Sequence, residues 1–307
     1  MTYIISNNIK KKQECALISG ATGYLGKKLA IYLNNKKIKV IKSSRKKIKN
    51  YLNIIPHNIK TFDNINPKIK KKINYIFYLG TNSNSQQKKI NFIKSFTEFK
   101  NFFNFAKELQ FLKKIVFISS SIIYKSKRNK NKISELDALN INTFYKQEKF
   151  LGEVMGLFFH RFHRLPIAII RFSNLYGLPL KQNTVMYDVF KKIKDKKKIF
   201  LDRISNIKDF LHVDDACSAL FKILRPSSTS GKIFNIGSGV GTDINFLIRF
   251  IAKSLCYDNL FIKNNTKLKK NIYILNINKI KKTINWKPSI YLKKEIINII
   301  KYEKKFL

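Results

Sequence analysis

The clearest change in the spacing of apolar residues lies near the amino terminus. Residues 15–18 are continuously apolar, as in a buried strand, and this run ends just before Gly20. From Leu25 onward, apolar residues recur three or four positions apart, with Leu29 and Leu33 on one helical face. The pattern predicts a short buried strand, a tight glycine turn and a helix.

Further short apolar runs alternate with longer segments along the chain. Strands are predicted at residues 38–42, 73–79, 115–118 and 167–170, and another is expected before Asp63. Between the runs at 73–79 and 115–118, residues 92–112 carry phenylalanines at helical spacing. A phenylalanine stripe of this kind is typical of core packing.

The three glycines of the first turn have a spacing that favours dinucleotide binding. Gly20 permits a sharp turn, Gly23 lets a pyrophosphate approach the backbone, and Gly26 lets the helix pack closely on the strand. The helix N-terminus then offers free N–H groups and the positive end of its dipole. Three glycines alone leave open a turn that binds nothing.

Length and composition limit the classes of protein to which the chain can belong. With 307 residues, 44% of them hydrophobic, the chain is globular and holds one large or two smaller domains. No apolar run approaches a membrane span, and residues 1–14 lack a secretory core, so a cytoplasmic protein is expected. Cys15, Cys217 and Cys256 are odd in number and far apart, which favours reduced thiols over a disulfide framework or a zinc site.

The net charge of +44 is the strongest compositional feature. It permits a nucleic-acid or anionic-membrane surface. The lysines are scattered, only eight residues are arginine, and no RNA- or DNA-binding motif is present. We therefore interpret the charge mainly as biased composition, although a positive field would attract a nucleotide diphosphate.

Several segments resemble one enzyme family. The spacing Gly-x-x-Gly-x-x-Gly, in place of Gly-x-Gly-x-x-Gly, is typical of the extended short-chain dehydrogenase/reductase family, which includes sugar-nucleotide epimerases, dehydratases and reductases. Further segments match that family in its order along the chain: 119–124 (Ser-Ser-Ser-Ile-Ile-Tyr), 145–149 (Tyr-x-x-x-Lys), 171–177 (Arg-x-x-Asn-x-Tyr-Gly), 209–215 (Asp-Phe-x-His-Val-Asp-Asp), 234–239 (Phe-Asn-Ile-Gly-Ser-Gly) and 285–289 (Asn-Trp-Lys-Pro-Ser).

The resemblance implies a fold. An α/β doubly wound parallel (Rossmann) sheet is expected, with a smaller discontinuous C-terminal substrate domain. The dinucleotide-binding domain would comprise residues 14–172, with returning segments near 205–240. The substrate domain would come mainly from residues 173–204 and 241–307.

The resemblance also implies three catalytic residues: Ser120, Tyr145 and Lys149. Ser120 lies four residues before a tyrosine, and Ser119 and Ser121 are the less favoured choices. Tyr-x-x-x-Lys occurs four times in the chain, so the motif alone carries no weight. Tyr145 and Lys149 are selected by their position between the strands at 115–118 and 167–170.

These residue types suit hydride-transfer chemistry. A tyrosine has a pKa near 10, and a neighbouring ammonium together with an oxidised nicotinamide would favour its phenolate. In the family, the lysine also binds the nicotinamide ribose. Tyr145 would move the proton of a substrate oxygen, and Ser120 would hydrogen-bond that oxygen and stabilise its charge.

The expected cofactor is NADP, with NAD as the alternative. NAD-selective members place an acidic residue near the end of the second strand, and here Ser44 and Arg45 are suited to a 2′-phosphate. Members of the family usually have two small residues next to the cofactor after the fourth strand, and Gly80 and Thr81 match these positions loosely. The cofactor-binding residues implied by the resemblance are Gly20, Thr22, Gly23, Tyr24, Leu25, Gly26, Ser44, Arg45, Asp63, Leu79, Gly80, Thr81 and Lys149.

A nucleotide sugar is the expected substrate, bound by Asn174, Arg203 and Lys208. Lys208 stands where the family often has an arginine for the diphosphate, and it lacks the bidentate fork of arginine. His212 and Asp214 are expected to fix the start of a helix, with Asp214 as its N-cap. No metal site is predicted.

The favoured reaction is NAD(P)-dependent 4-keto reduction of the nucleotide sugar. C4 epimerisation with recycled NAD is the close alternative, and a non-catalytic cofactor- or RNA-binding scaffold is more remote. Dehydration is disfavoured, because the family's 4,6-dehydratases have Asp and Glu where Ser121 and Ile122 follow Ser120. A homodimer is possible, and neither a specific nucleic-acid partner nor a membrane span is expected.

Overall fold

The computed structural model describes residues 13–44, 54–56, 65–79, 92–129, 131–202, 205–262 and 270–306. Its strands are β1 Cys15–Ser19, β2 Lys39–Ser44, β3 Ile54–Pro56, β4 Tyr75–Tyr78, β5 Lys114–Ser120, β6 Ile167–Phe172, β7 Asn174–Tyr176, β8 Ile199–Leu201, β9 Ile207–His212, β10 Lys232–Ile236, β11 Gly241–Asp243, β12 Leu260–Ile262 and β13 Ile272–Tyr273.

The α-helices within the same ranges are α1 Tyr24–Asn35, α2 Pro67–Lys70, α3 Phe92–Lys107, α4 Phe144–His163, α5 Val185–Lys194, α6 Val213–Ile223, α7 Ile244–Ser254, α8 Asn278–Ile284 and α9 Leu292–Glu303. Short 3₁₀ helices span Ser121–Ile123, Ser227–Thr229 and Lys304–Phe306.

In the described part of the chain, a seven-stranded sheet has the order β10-β6-β5-β4-β1-β2-β3. All of its neighbouring strands run parallel. From β1 the chain winds outward through β2 and β3 on one side, and through β4, β5, β6 and β10 on the other. This is a doubly wound arrangement, so the predicted fold class is confirmed. The winding direction changes between β1 and β4, and a ligand is expected at the carboxyl ends of the strands there.

Helices cover both faces of this sheet. On one face, Leu29 of α1 and Leu220 of α6 are fully buried with the inner residues of β1. On the other, Phe103 of α3 and Phe159 of α4 pack with Phe117 of β5. The phenylalanine stripe predicted to pack in the core is confirmed, since α3 buries Phe99, Phe102, Phe103 and Phe105.

A smaller sheet lies beyond the parallel one. Strand β9 pairs with β7, β11 and β13, and β12 pairs separately with β8. Helices α5, α7 and α9 bury one apolar cluster around Phe190, Leu247 and Ile299. Strand β10 returns to the parallel sheet while β9 lies in the smaller one. The proposed division into two domains stays a prediction.

Some element bounds differ from those predicted. Strand β5 continues to Ser120, because Ser119 and Ser120 still pair with Arg171 and Phe172 of β6. Helix α3 ends at Lys107, five residues before the predicted end. After it, the backbone N–H of Lys113 already donates to the carbonyl of Asn74, at 2.7 Å, so these residues belong to the return to the sheet.

The described helices include none that is both long and apolar enough to cross a membrane. Within the same residues, no group of three or more His, Cys, Asp or Glu side chains is arranged to hold a metal ion. Cys15 and Cys217 are buried, Cys256 is exposed, and all three are free thiols.

Candidate active site

The glycine turn between β1 and α1 is tightly packed. Gly20 has a φ of +77°, in the left-handed region that favours glycine. A Cβ on Gly26 would lie 2.3 Å from the carbonyl oxygen of Gly20 and 2.8 Å from the Cα of Ala21. The N–H groups of Gly20 and Ala21 both donate to the carbonyl of Ser43 in β2. The turn therefore requires glycine at both positions and is attached to the neighbouring strand.

The first turn of α1 is suited to an anion. Gly23 is the N-cap and has no side chain to cap the helix, and the first turn contains no acidic residue. The first helical bond runs from Lys27 N–H to the carbonyl of Gly23 at 3.0 Å. Among the described residues, no hydrogen bond engages the amides of Tyr24, Leu25 and Gly26. A dinucleotide pyrophosphate therefore fits here, with Thr22 beside it in the turn.

Two of the predicted cofactor residues have side chains directed elsewhere. The Tyr24 hydroxyl donates to the carbonyl of Gly177, just beyond β7, at 3.0 Å. The Leu25 side chain packs against the apolar core. Only their backbone amides remain available to a phosphate at the helix N-terminus.

The predicted adenosine and nicotinamide contacts are partly described. Ser44 is the last residue of β2, and the Leu79 N–H donates to the carbonyl of Ser19 at 3.1 Å, which sets Leu79 beside the glycine turn. The remaining predicted positions lie outside the described residues: Arg45, Asp63, Gly80 and Thr81. The preference for NADP therefore stays a prediction.

Ser120 stands at the carboxyl end of β5. It is the N-cap of the 3₁₀ helix that follows, and its Oγ accepts a hydrogen bond from the N–H of Ile122 at 3.3 Å. The Ser120 side chain also lies close enough to the Tyr145 phenol to lower its pKa. Ser121 is buried within the 3₁₀ helix, and the Oγ of Ser119 is buried without a partner among the described residues. Ser120 is thus the serine that meets Tyr145.

Helix α4 brings Tyr145 and Lys149 to the same edge of the sheet. The helix begins after Thr143, whose side chain accepts from the N–H of Lys146 at 3.4 Å. Lys149 is 4% exposed, and its Nζ donates to the carbonyl of Ile118 in β5 at 2.9 Å. That Nζ lies 5.7 Å from the centre of the Tyr145 ring. The structure therefore brings Ser120, Tyr145 and Lys149 together.

The protein holds Tyr145 as a phenol. Burial raises the pKa of Tyr145 to about 12; the hydrogen bond from Ser120 lowers it and the charge of Glu148 raises it further. The pKa of Tyr145 is thus raised and not lowered as expected, because burial outweighs the other causes, and Lys149 is not among them. Of the two causes expected to favour phenolate, only an oxidised nicotinamide remains.

The pKa of Lys149 is lowered, in contrast to that of Tyr145. Burial lowers the pKa of Lys149 to about 8, and the charge of Lys181 lowers it further. The carboxylates of Glu148 and Glu153 on the same helix act in the other direction. Lys149 is therefore a buried ammonium that is still present at neutral pH and loses its proton at about pH 8.

A buried polar network supports the catalytic helix from behind. Arg171 of β6 donates through Nε and Nη2 to the two oxygens of Glu153, at 2.9 and 2.6 Å. Arg171 Nη1 donates to the Tyr124 hydroxyl at 2.8 Å, which in turn donates to Asn235 Oδ1 at 2.8 Å. The network joins α4 to β6, to β10 and to the segment after Ser120. The sequence motifs contain Arg171, Tyr124 and Asn235 but not Glu153, and they do not reveal that these residues meet.

Asp209 organises a second network. Its buried carboxylate accepts from the Ser238 N–H and Oγ, and from the N–H groups of Gly239 and Leu275, at 2.7–3.2 Å. Burial raises the pKa of Asp209, against these hydrogen bonds. Two of the matching sequence segments, 209–215 and 234–239, therefore join to each other.

Asp215 likewise holds the segment at 285–289 through hydrogen bonds to its carboxylate. Its carboxylate accepts from the N–H and Oγ of Ser289 and from the N–H of Ile290. The Trp286 Nε1 donates to Ser218 Oγ at 2.9 Å. These contacts attach the C-terminal part of the chain to α6.

One expectation about α6 is wrong. The N-cap is His212, whose Nδ1 accepts from the N–H of Asp214 at 3.3 Å, and Asp214 lies in the first turn. The helix begins two residues earlier than expected, since Val213 is already its first residue. His212 still acts at the helix start, as expected. Burial lowers the pKa of His212, although the carboxylates of Asp214 and Glu295 oppose this shift.

Two of the predicted substrate residues, Asn174 and Lys208, lie in strands of the smaller sheet. Asn174 is exposed at the start of β7, and its Nδ2 donates to the carbonyl of Asp209 at 2.9 Å. Lys208 is half-buried in β9, and burial lowers its pKa. Arg203 lies outside the described residues. The structure therefore attaches Asn174 to the strand that carries Lys208.

Similar structures share this fold over nearly the whole chain. A dTDP-glucose 4,6-dehydratase of Bacillus anthracis, solved in complex with NAD, matches with a TM-score of 0.82 and 19% identity, covering 95% of this chain and 97% of that one. A UDP-N-acetylglucosamine 4-epimerase of Bacillus cereus matches with a TM-score of 0.79 and 21% identity, covering 94% and 95%. At these identities the likeness shows the fold alone.

Curated proteins are similar in sequence over shorter stretches. The dTDP-D-glucose 4,6-dehydratase of Dictyostelium discoideum is 25% identical over 262 residues, covering 72% of this chain and 58% of that protein. The UDP-glucuronate 4-epimerase of Thermodesulfobacterium geofontis is 26% identical over 167 residues, covering 52% and 50%. The chain thus matches only 58% and 50% of the length of these two relatives.

The family comparison covers most of the site. The profile of the NAD dependent epimerase/dehydratase family matches residues 16–237. That range includes the glycine turn, Ser120, Tyr145, Lys149 and Asp209, and it ends one residue before Ser238, the first of the partners of the Asp209 carboxylate. The chain belongs to the NAD dependent epimerase/dehydratase family.

Proposed function

We propose that this protein is an NAD(P)-dependent oxidoreductase that reduces the 4-keto group of a nucleotide-activated sugar by hydride transfer. The observation that carries the proposal is that Ser120, Tyr145 and Lys149 lie close together. They stand at the same edge of the sheet as the glycine turn. The relatives named above support the substrate class, since each is named for an enzyme of dTDP- or UDP-linked sugars.

Several of the chain's groups would hold the cofactor. The amides of Tyr24, Leu25 and Gly26 would bind the pyrophosphate, and the Lys149 ammonium would bind the nicotinamide ribose. A reduced nicotinamide, when bound, supplies the hydride. We propose NADP, because β2 contains no acidic residue to bind a ribose 2′-hydroxyl and Arg45 follows it directly.

The protein's own residues then handle the proton and the charge. Ser120 Oγ hydrogen-bonds the substrate carbonyl oxygen and stabilises the charge that develops there. Tyr145 donates its phenolic proton to the same oxygen as hydride arrives at the carbon. Asn174 and Lys208, with Arg203, bind the nucleotide and its diphosphate.

The protonation state of Tyr145 favours the reductive direction. With a pKa of about 12 it carries its proton at neutral pH, as an acid that protonates a reduced ketone must. The residues after Ser120 argue against dehydration. Ser121 is buried, and the Ile122 side chain is apolar, so neither removes nor delivers a proton for loss of water.

C4 epimerisation is the second candidate. It uses the same three residues twice, first to oxidise the sugar and then to reduce it from the other face. The UDP-glucuronate 4-epimerase relative favours this reaction. Arg45 favours the reductase, because a consumed cofactor is more often NADPH than a tightly held NAD.

We also propose a homodimer, formed through the outer face of α4. Val154, Phe158 and Phe162 recur on this face and are 47%, 50% and 63% exposed. Ile93 and Phe96 of the adjoining α3 are exposed as well. A contiguous apolar face on a highly charged protein is typical of a protein interface, and a second copy presents the same uncharged stripe.

The reaction is tested with a panel of UDP-, dTDP-, GDP- and CDP-linked sugars and their 4-keto forms, each with NADPH and with NADH. A 4-keto reductase oxidises the reduced cofactor and yields the matching alcohol. An epimerase yields the C4 isomer with no net change in cofactor absorbance. If neither cofactor binds, and the protein instead binds bulk RNA in a salt-dependent way, the scaffold alternative replaces both reactions.

A further inference from the structure

Tyr24 joins the glycine turn to a distant part of the chain. It is the first residue of α1, and its hydroxyl donates to the carbonyl of Gly177 at 3.0 Å across 153 residues of sequence. Burial raises the pKa of Tyr24 well above its usual range, so the hydroxyl remains a donor at neutral pH. The contact links the expected phosphate site to the segment that follows β7.

Gly177 is closely packed and leaves no room for a side chain. Its φ is +134°, and a Cβ there would lie 2.7 Å from His212 Nε2 and 3.0 Å from Val213 Cγ1. The peptide is therefore held between the start of α6 on one side and Tyr24 on the other. Three residues earlier, Asn174 is attached to β9 by its hydrogen bond to the Asp209 carbonyl.

The backbone amide and the hydroxyl of Tyr24 thus face different partners. Its backbone amide belongs to the free first turn of α1, where a pyrophosphate fits. Its hydroxyl holds the strand on which Asn174 stands. A pyrophosphate that orders the first turn also orders the ring of Tyr24, and with it the position of Gly177.

We propose that Tyr24 is a positioning residue whose hydroxyl transmits dinucleotide binding at α1 to the substrate-side segment 174–181. The inference rests on the proposed function, because it takes that segment as the substrate side. With the cofactor bound, the segment is already ordered, so the nucleotide sugar binds with a smaller loss of conformational entropy. By thermodynamic linkage, each ligand then raises the affinity for the other equally.

The expected effect is moderate. A neutral intramolecular hydrogen bond has a net worth that corresponds to a change of about 2- to 10-fold in an equilibrium constant. Tyr24→Phe removes only the hydroxyl and keeps the ring in place. Tyr32→Phe is the matched control, because Tyr32 lies on the same helix and packs edge-on against Phe221, without a hydrogen bond from its hydroxyl to another described residue.

Hydrogen–deuterium exchange with NADPH and with NADH tests the coupling without a substrate. In the wild type and in Tyr32→Phe, the cofactor slows exchange both in residues 22–28 and in residues 174–184. In Tyr24→Phe we expect slowing in residues 22–28 as before, with protection of residues 174–184 reduced about 2- to 10-fold. Equal protection of that segment in all three proteins overturns the proposal.

Two further outcomes separate this inference from the proposed reaction. If the cofactor slows exchange in neither segment of the wild type, the inference fails with cofactor binding itself. If exchange follows the expected pattern while every nucleotide sugar is inert, Tyr24 still couples the two regions and only the reaction is wrong. For a nucleotide sugar that turns over, Tyr24→Phe should raise KM more than it lowers kcat.

Discussion

Glu153, one turn beyond Lys149 on the catalytic helix, forms a buried ion pair with Arg171 of β6. Their side chains are 2% and 4% exposed, and two hydrogen bonds join them, at 2.9 and 2.6 Å. Arg171 also lies over the ring of Tyr124, with its guanidinium carbon 4.7 Å from the ring centre. The pair therefore fixes how α4 sits on β6, and with it the direction of Tyr145 and Lys149.

Breaking this pair should destabilise the protein. Glu153→Gln leaves the Arg171 charge buried without its counter-ion, and we expect a loss of about 3–5 kcal/mol in the free energy of unfolding. Urea unfolding measures the change. Asp195→Asn is the control, since it removes the more exposed contact with Lys197 at 3.3 Å and should cost less than about 1 kcal/mol. Equal small losses in both variants would contradict the role given to Glu153.

Tyr145→Phe should abolish turnover and leave cofactor affinity unchanged. The change removes the proton donor but no group expected to bind the dinucleotide, so kcat should fall by at least about 10²-fold. Steady-state kinetics and fluorescence titration with NADPH or NADH measure the two effects. Tyr32→Phe, in another Tyr-x-x-x-Lys pair of the chain, should keep full activity. Full activity in Tyr145→Phe would show the catalytic assignment to be wrong.

The rate of ketone reduction should fall above about pH 8. The folded protein holds the pKa of Lys149 at about 8, so its ammonium is present below that pH and is lost as the pH rises through it. Profiles of kcat/KM against pH measure the midpoint. Lys181→Gln should move the midpoint upward, because the charge of Lys181 lowers this pKa.

The exposed Lys191 provides the control for that shift. Lys191→Gln removes a positive charge from α5 that has no part in the pKa of Lys149, so the midpoint should stay where it is. A midpoint that moves downward in Lys181→Gln, or that moves equally in both variants, would rule out the charge contact.

Lys114 should make stability depend on pH. It is 2% exposed, and its Nζ donates to the Pro226 carbonyl and to the hydroxyls of Thr229 and Ser230. No carboxylate of the described residues is among its partners. Burial lowers its pKa to about 8 from an unfolded value of 10.5. The charged form is thus disfavoured on folding, and stability should rise as the pH increases from about 8 to about 10.5.

The comparison with Lys114→Met isolates this effect. The unfolding free energy of the wild type, minus that of the variant, should increase by up to about 3 kcal/mol over that pH range. Urea unfolding at pH 7.5, 9 and 10.5 measures the difference. A difference that is constant, or that decreases with pH, would contradict a buried lysine with a lowered pKa.

The proposed dimer should depend on the apolar face of α4. Phe158→Glu places a charge at the centre of that face, and desolvating it on association is unfavourable. Light scattering coupled to gel filtration should find a dimer for the wild type and a monomer for the variant. Leu136→Glu changes a side chain that is 97% exposed elsewhere and should remain dimeric. A monomeric wild type would contradict the proposed dimer.

Short-range patterns were sufficient for the elements of the parallel sheet. The apolar run at 15–18 and the helical spacing from Leu25 predicted β1 and α1, because burial on both faces makes such strands continuously apolar. Strand ends were less well predicted. Whether β5 stops at Ile118 or continues to Ser120 depends on β6, with which Ser119 and Ser120 pair.

For the site, the sequence proposed residues but not their environments. It selected Ser120, Tyr145 and Lys149 by motif and order, and it assigned Lys149 a part in lowering the pKa of Tyr145. That expectation was wrong because burial of the Tyr145 phenol, which depends on the packing of α4 against the sheet, raises its pKa. The N-cap of α6 was assigned to Asp214 and not to His212, since both are plausible until the backbone angles are known.

The amino-acid sequence by itself determined the fold class, the family and the residues able to carry the chemistry, because these depend on spacing and composition within a few turns of chain. Only the tertiary structure decided how Arg171 meets Glu153, how Asp209 holds the Ser238 loop and how Tyr24 reaches Gly177. The members of each pair are 18, 29 and 153 residues apart. No local pattern encodes such contacts, since they form only when the sheet has brought distant segments together.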